Sequence, residues 1–257
     1  MARLAHEVIE PAAGRIADVR RFYALMDELC ERLGDPMTLA SCHGRLNWPS
    51  RGVYFFFEDG EFRSDSGKGP RVVRVGTHAL KSGSSTTLWK RLSQHAGSRR
   101  TGGGNHRGSI FRLLIGEALK RRNGQEEPKS WGIGGHPAQA AERLGLTADM
   151  VRSIEDPLEA AVSCYMENLP FLFVSVEDDA GPNSLRGMIE RNSIALLSNY
   201  SREPIDTPSA HWLGGLSGRE RVRASGLWNN NHVDEQYDPG FVKILADAVA
   251  TTRPCRS

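Results

Sequence analysis

The sequence predicts an α+β fold: a small three-stranded sheet, mixed or antiparallel, flanked by helices. Three observations support it. Two short runs rich in aromatic and β-branched residues, Gly52–Phe57 and Arg71–Val75, are separated by a polar stretch. A third run, Leu169–Val176, is apolar almost throughout, the mark of a buried strand. Between and around these runs, apolar residues recur at helical rather than strand spacing.

Ile16 to Leu33 reads as a helix, with Ile16, Val19, Phe22, Tyr23, Leu25, Met26, Leu29 and Leu33 on its apolar stripe and Gly34 as its stop. Ser41–Arg51 is loop-like. Period two along Gly52–Phe57 places Val53, Phe55 and Phe57 on one face, and Tyr54 and Phe56 on the other. Glu58-Asp59-Gly60 is expected to end that strand as a turn. In the second strand Val73 and Val75 share a face and Arg74 takes the opposite one. A helix from Ser85 to Ala96 carries a stripe of Leu88, Trp89, Leu92 and Ala96, flanked by Arg91 and His95 on one side. The Gly-rich turn Thr101–Gly108 leads into a helix over about Ser109–Arg122. Short helices are expected at Ala138–Leu144 and Asp156–Glu167, and another from Gly181 to about Ser198 with Leu185, Met188, Ile189, Ala195 and Leu196 inward. A last one is expected near Phe241–Val249.

Composition excludes several classes. The chain has 257 residues, 39% hydrophobic and 25% charged. That balance belongs to a globular protein. No apolar stretch approaches the ~20 residues of a membrane span. The N-terminal residues show no export signal, and the four cysteines form no CxxC pair. A cytoplasmic protein with reduced thiols is expected.

Net charge is only +2, but it is unevenly spread. Between Lys90 and Arg122 nine Lys or Arg stand against a single acid, Glu117. Such a block suits a phosphate backbone as partner; a solvated helix face is the alternative. Neither Gly102-Gly103-Gly104 nor Ser66-Gly67-Lys68-Gly69 has the Gly-Lys-Ser/Thr ending of a phosphate-binding P-loop. His78, His136 and His211 read as structural or exposed. The polar segment Ser225–Asp234, built around Trp228, either caps the core or lines a cleft.

The order strand–strand–helix–helix–strand–helix, with Gly52-Val53-Tyr54 on the first strand, resembles the GIY-YIG nuclease superfamily over roughly Gly52–Asn199. Arg74-Val75-Gly76 stands where the family's second triplet belongs, with Arg in place of Tyr. Arg91 and His95 match the family's helix pair, Glu190 its metal-site Glu, and Asn199 a later Asn. The resemblance implies a metal-dependent endonuclease that hydrolyses DNA phosphodiester bonds, in restriction or defence, repair or mobile-element biology. Tyr54, Arg74, Arg91, His95 and Glu190 would be catalytic, with Mg²⁺ or Mn²⁺ on Glu190. Lys90, Arg99, Arg100, His106, Arg107 and Asn199 would contact DNA. A catalytically degenerate nucleic-acid-binding protein on the same core is the other reading, because Arg74 replaces a family tyrosine. RNA stays open as substrate, and a palindromic target would imply a homodimer.

The expected organisation is a helical N-terminal extension (1–50), a nuclease-like core (51–200) with an insertion at about 123–168, and a C-terminal extension (201–257) packed on the core.

Overall fold

Strand alternation at the start of the predicted core decides the architecture. The computed structural model describes residues 12–98 and 101–255. Among them β1 (Met37–Thr38), β2 (Gly52–Phe62), β3 (Pro70–Gly76) and β4 (Pro170–Ser175) form one sheet in the order β1-β4-β2-β3, every neighbouring pair antiparallel. The sheet therefore has a fourth strand, two residues long and too short to give a period in the sequence. The α+β class stands as expected.

Helices cover both faces. Tyr54, Phe56, Phe171 and Phe173 project into a core shared with α2 (Leu88–Ala96), α3 (Ile110–Arg122) and α5 (Ala148–Glu167), closed by Trp131, Trp212 and Trp228. Val53, Phe55, Phe57, Leu172 and Val174 project the other way, against α1 (Ala12–Leu33), α6 (Leu185–Leu197) and α8 (Phe241–Thr251). Burying each of these large side chains contributes about 1.5–3 kcal/mol. α4 (Pro137–Leu144) rests on α5, and α7 (Glu220–Ser225) leads into the Trp228 segment.

Three local expectations change. β2 runs on to Phe62 instead of turning at Glu58-Asp59-Gly60. Glu58 has partners that keep it in the protein: its carboxylate accepts from Tyr165, from Nε1 of Trp212 at 3.1 Å and from Nε1 of Trp228 at 3.2 Å. On β3, Phe56 pairs with Arg74 and Phe57 with Val72, so Val73 is the extra residue of a bulge. Val73 consequently shares the Tyr54 face while Val75 faces α1 and α6. On α6 the buried apolar residues are Ile189 and Ile194 to Leu197, whereas Leu185 and Met188 are exposed.

α5 starts at Ala148, where the Thr147 side chain caps the Met150 N–H, and contains Pro157 in its first half. α2 starts at Leu88, because Thr87 rather than Ser85 caps it, accepting from the Lys90 N–H.

Candidate active site

The two Gly-containing triplets lie side by side at one end of the sheet. Tyr54 pairs with Gly76 across β2 and β3. A Cβ on Gly76 would lie 2.4 Å from the Tyr54 hydroxyl oxygen. Only glycine lets the strand pass so close over the phenol. A Cβ on Gly52 would lie 2.3 Å from the Val174 carbonyl oxygen, so the other triplet's glycine also answers a close approach, here to β4.

The Tyr54 hydroxyl sits 2.8 Å from Nε2 of His95, and Nδ1 of His95 sits 2.8 Å from Oγ of Ser109. Both rings are fully buried. Burial, with the charges of Arg91, Arg74 and Arg112 behind it, holds His95 well below its ordinary pKa, so the imidazole is neutral. Ser109 also caps α3 by accepting the Arg112 N–H, which fixes the oxygen that orients His95. The sequence put His95 beside the apolar stripe of α2; it belongs to the buried face itself.

Arg74 lies on the same face as Tyr54. Its guanidinium stacks over the Phe111 ring at 4.7 Å and donates to the Trp228 carbonyl. Burial lowers its pKa, opposed by the negative charge that Tyr54 and Glu190 can carry; the Arg91 charge acts with burial. Arg91, on α2, donates to Gln94 Oε1 and to the Gly108 carbonyl, both at 3.1 Å. Each of these two guanidiniums keeps a buried Nε–H without a partner.

Glu190 approaches from α6. Its Oε1 accepts the Thr77 N–H at 3.1 Å, so the residue after the Gly76 triplet anchors the carboxylate. Burial raises the Glu190 pKa, and the charges of Arg74, His232 and Arg91 and the Thr77 bond pull against it. Arg186, one turn earlier, pairs with Asp178 rather than with Glu190.

The five expected catalytic residues, Tyr54, Arg74, Arg91, His95 and Glu190, thus converge from β2, β3, α2 and α6. The expected DNA contacts divide. Lys90 is exposed on α2. Arg99 and Arg100 lie outside the described residues. His106 and Arg107 are not on a free surface loop. His106 stacks on Trp131 at 3.8 Å, binds Glu159 Oε1 through Nδ1 at 2.8 Å and accepts the Gly132 N–H. Arg107 is held by both oxygens of Glu155, at 2.6 and 2.8 Å. Burial and these carboxylate partners take both residues out of contention as backbone grips. Asn199 clamps a turn instead, bonding the N–H and carbonyl of Ile205 and taking a donor from Arg15. Of the remaining histidines, His136 and His211 are exposed. His78 is buried; burial pushes its pKa down to about 4, helped by the Arg186 charge.

Sequence reasoning missed Ser109 and Thr77 as members of this neighbourhood. Only Ser109 left a signal, a capping residue directly before an apolar helix start. Within Ser225–Asp234 two residues cap the core: Trp228 is fully buried, its backbone N–H donates to the Val73 carbonyl at 2.7 Å, and the Asn229 amide exchanges two hydrogen bonds with Val75.

No group of three or more His, Cys, Asp or Glu side chains among the described residues is arranged to hold a metal. A single half-buried carboxylate whose Oε2 accepts no hydrogen bond from a described residue fits a hydrated Mg²⁺ or Mn²⁺, which retains most of its waters. No described helix is long and apolar enough to cross a membrane.

No curated protein and no solved structure matches the chain. The family model described as GIY-YIG domain matches residues 13–255, so the helices flanking the sheet at both chain ends fall within it. The chain belongs to the GIY-YIG domain family, which implies an activity of the endonuclease type.

Proposed function

We propose that the protein is a divalent-metal-dependent endonuclease that hydrolyses phosphodiester bonds of DNA. The observation that carries this reading is the pair of guanidiniums, Arg74 and Arg91, each with an unpartnered Nε–H, set beside the Tyr54–His95 hydrogen bond and the Glu190 carboxylate. Unmet cationic donors next to a proton-accepting pair suit an anionic group that reacts with water.

Neutral His95 donates Nδ1–H to Ser109 and presents the Nε2 lone pair to the Tyr54 hydroxyl. In this mechanism Tyr54 takes a proton from the attacking water as it passes its own to Nε2. The water oxygen bonds to phosphorus, and the bond from phosphorus to the leaving sugar oxygen breaks. That oxygen departs as an alcohol, its proton coming from solvent, a phosphate monoester remains, and His95, whose neutral form burial favours, releases the proton it took up. Arg74 and Arg91 hold the phosphoryl oxygens while negative charge builds on them. A dication on Glu190 would supply Lewis-acid stabilisation of the phosphate and of the leaving oxygen.

Plasmid nicking or linearisation with Mg²⁺ or Mn²⁺, abolished by EDTA, tests the reading. Glu190→Ala and Tyr54→Phe should each remove cleavage and keep DNA binding. Full cleavage by Glu190→Ala would sink the assignment of the metal to this carboxylate.

Two observations favour a second reading. Tyr54 and His95 are both fully buried, and Arg74 occupies the place of a family tyrosine. A non-catalytic DNA-binding protein would bind DNA in a salt-sensitive way and leave plasmid intact at every metal concentration.

A further inference from the structure

A groove with amide side chains on its border opens beside Arg91. It has a volume of about 360 Å³ and lies between the C-terminal half of α2 and the turn that precedes α3. Ser93, Gln94, Gly104, Asn105 and Gly108 are among its lining residues. Two of them fasten Arg91, whose Nη1 donates to Gln94 Oε1 and to the Gly108 carbonyl, both at 3.1 Å. The groove therefore starts at a guanidinium assigned above to the reacting phosphate.

Hydrogen bonding fixes which end of each amide is committed. A guanidinium only donates, so the Gln94 atom that meets Arg91 is the oxygen, and its NH₂ is turned elsewhere. Asn105 Oδ1 accepts the Arg107 N–H at 3.0 Å, capping the short turn His106–Gly108, so its oxygen is committed too. Both side chains are exposed, and neither Gln94 Nε2 nor Asn105 Nδ2 bonds a described residue. Two NH₂ donors are thus left at the border of one groove. Gly108 keeps it open. Its φ is not left-handed, and the nearest described atom to an added Cβ would be Asn105 Nδ2, at 4.0 Å. Neither backbone conformation nor packing asks for glycine here; its missing side chain clears the approach to the Asn105 amide, as suits a site where another molecule's backbone comes close.

We propose that Gln94 and Asn105 bind a phosphate of the DNA strand next to the one that Arg91 holds, each donating an amide N–H to a non-bridging oxygen. The inference rests on the reading of this site as acting on a DNA phosphodiester. Asn and Gln amides are ordinary donors to phosphate oxygens, and such contacts set the register of a strand without reading its sequence. The groove would fix where the strand lies relative to Tyr54 and leave the chemistry to the buried groups.

Binding of the full chain to a short DNA duplex of mixed sequence, in EDTA and read by fluorescence anisotropy, tests the proposal. Gln94→Glu and Asn105→Asp keep the oxygens that serve Arg91 and Arg107 and remove only the donors. Each should weaken binding about tenfold or more, the scale of a hydrogen bond to a charged group, with the melting temperature unchanged. Two readouts separate this from repulsion by the added charge. Gly108→Ala adds no charge and should also weaken binding, by standing before the Asn105 amide. The loss in the two acidic variants should persist as salt is raised, whereas repulsion at a distance is screened. Wild-type affinity in all three variants overturns the groove and leaves the nuclease reading standing. So does a loss confined to the acidic variants that disappears in salt. Failure of the wild type to bind DNA overturns both.

Discussion

Gly76 lies so close above Tyr54 that a single added methyl carbon would sit 2.4 Å from the phenol oxygen and 2.5 Å from the ring. The strand backbone therefore acts as a lid over the hydroxyl. Gly76→Ala should destabilise the protein by about 1–3 kcal/mol, as overpacking does. It should also turn Tyr54 away from His95 and abolish plasmid cleavage. Thermal melts and the nicking assay check both halves; a variant as stable and as active as wild type would refute the close approach.

Ser109 serves two partners with one oxygen, His95 Nδ1 and the Arg112 N–H. Ser109→Ala should cost about 1 kcal/mol as a lost helix cap. Its larger effect should fall on kcat for DNA cleavage, with KM little changed, because the His95 ring loses its orientation. A drop in stability with kcat untouched would make Ser109 a cap and nothing more.

Two buried histidines link folding to pH. The folded pKa of His95 is far below 6.5, and that of His78 is about 4, in each case first through burial. Above the unfolded value both states carry neutral rings and the full stability is present. As pH falls below 6.5 the unfolded chain takes up protons that the folded one refuses, so stability declines and this contribution is lost by the folded pKa. Urea midpoints should fall steadily between about pH 7 and pH 4, and His95→Gln should flatten the slope. An unchanged slope in that variant would remove His95 from the account.

Arg112 is fully buried and reaches Glu159 Oε2 at 2.6 Å, the Glu159 carbonyl at 2.8 Å and the His95 carbonyl at 2.8 Å. Burial would raise the Glu159 carboxyl, but His106 and Arg112 outweigh it and keep the group below its ordinary value. Arg112→Met should cost about 3–5 kcal/mol, since it strands a buried charge. Adding Glu159→Leu should recover part of that loss. A double variant less stable than Arg112→Met alone would show that the stranded charge is not the cause.

Much of this was legible in residue order because strand and helix periods are local. Gly52–Phe57 alternates so clearly that both faces of β2 could be assigned, while Tyr54, His95 and Glu190 were put together only through the resemblance to the GIY-YIG family. What escaped depends on partners far along the chain. Arg107 meets Glu155 across 48 residues, and His106 meets Glu159 across 53. A Gly-rich segment dense in cations looks like a surface grip until those carboxylates draw it inward. Val73 changed faces for a similar reason, because a bulge is a property of two paired strands, not of either one alone. Glu58 looked like the start of a turn, and its distant partners, the Tyr165 hydroxyl and the indoles of Trp212 and Trp228, explain why the strand continues.

The Trp228-Asn229 segment has a consequence for self-association. β3 ends the sheet on one side, and an open border strand of this kind invites another molecule's backbone to zip alongside it. Here the chain fills that place itself: Trp228 N–H and the Asn229 amide occupy the carbonyls of Val73 and Val75 and the Val75 N–H. An amide side chain, mimicking a peptide group, makes this border sterile to strand exchange along that stretch. A second copy of this chain would have to be recognised through some other surface.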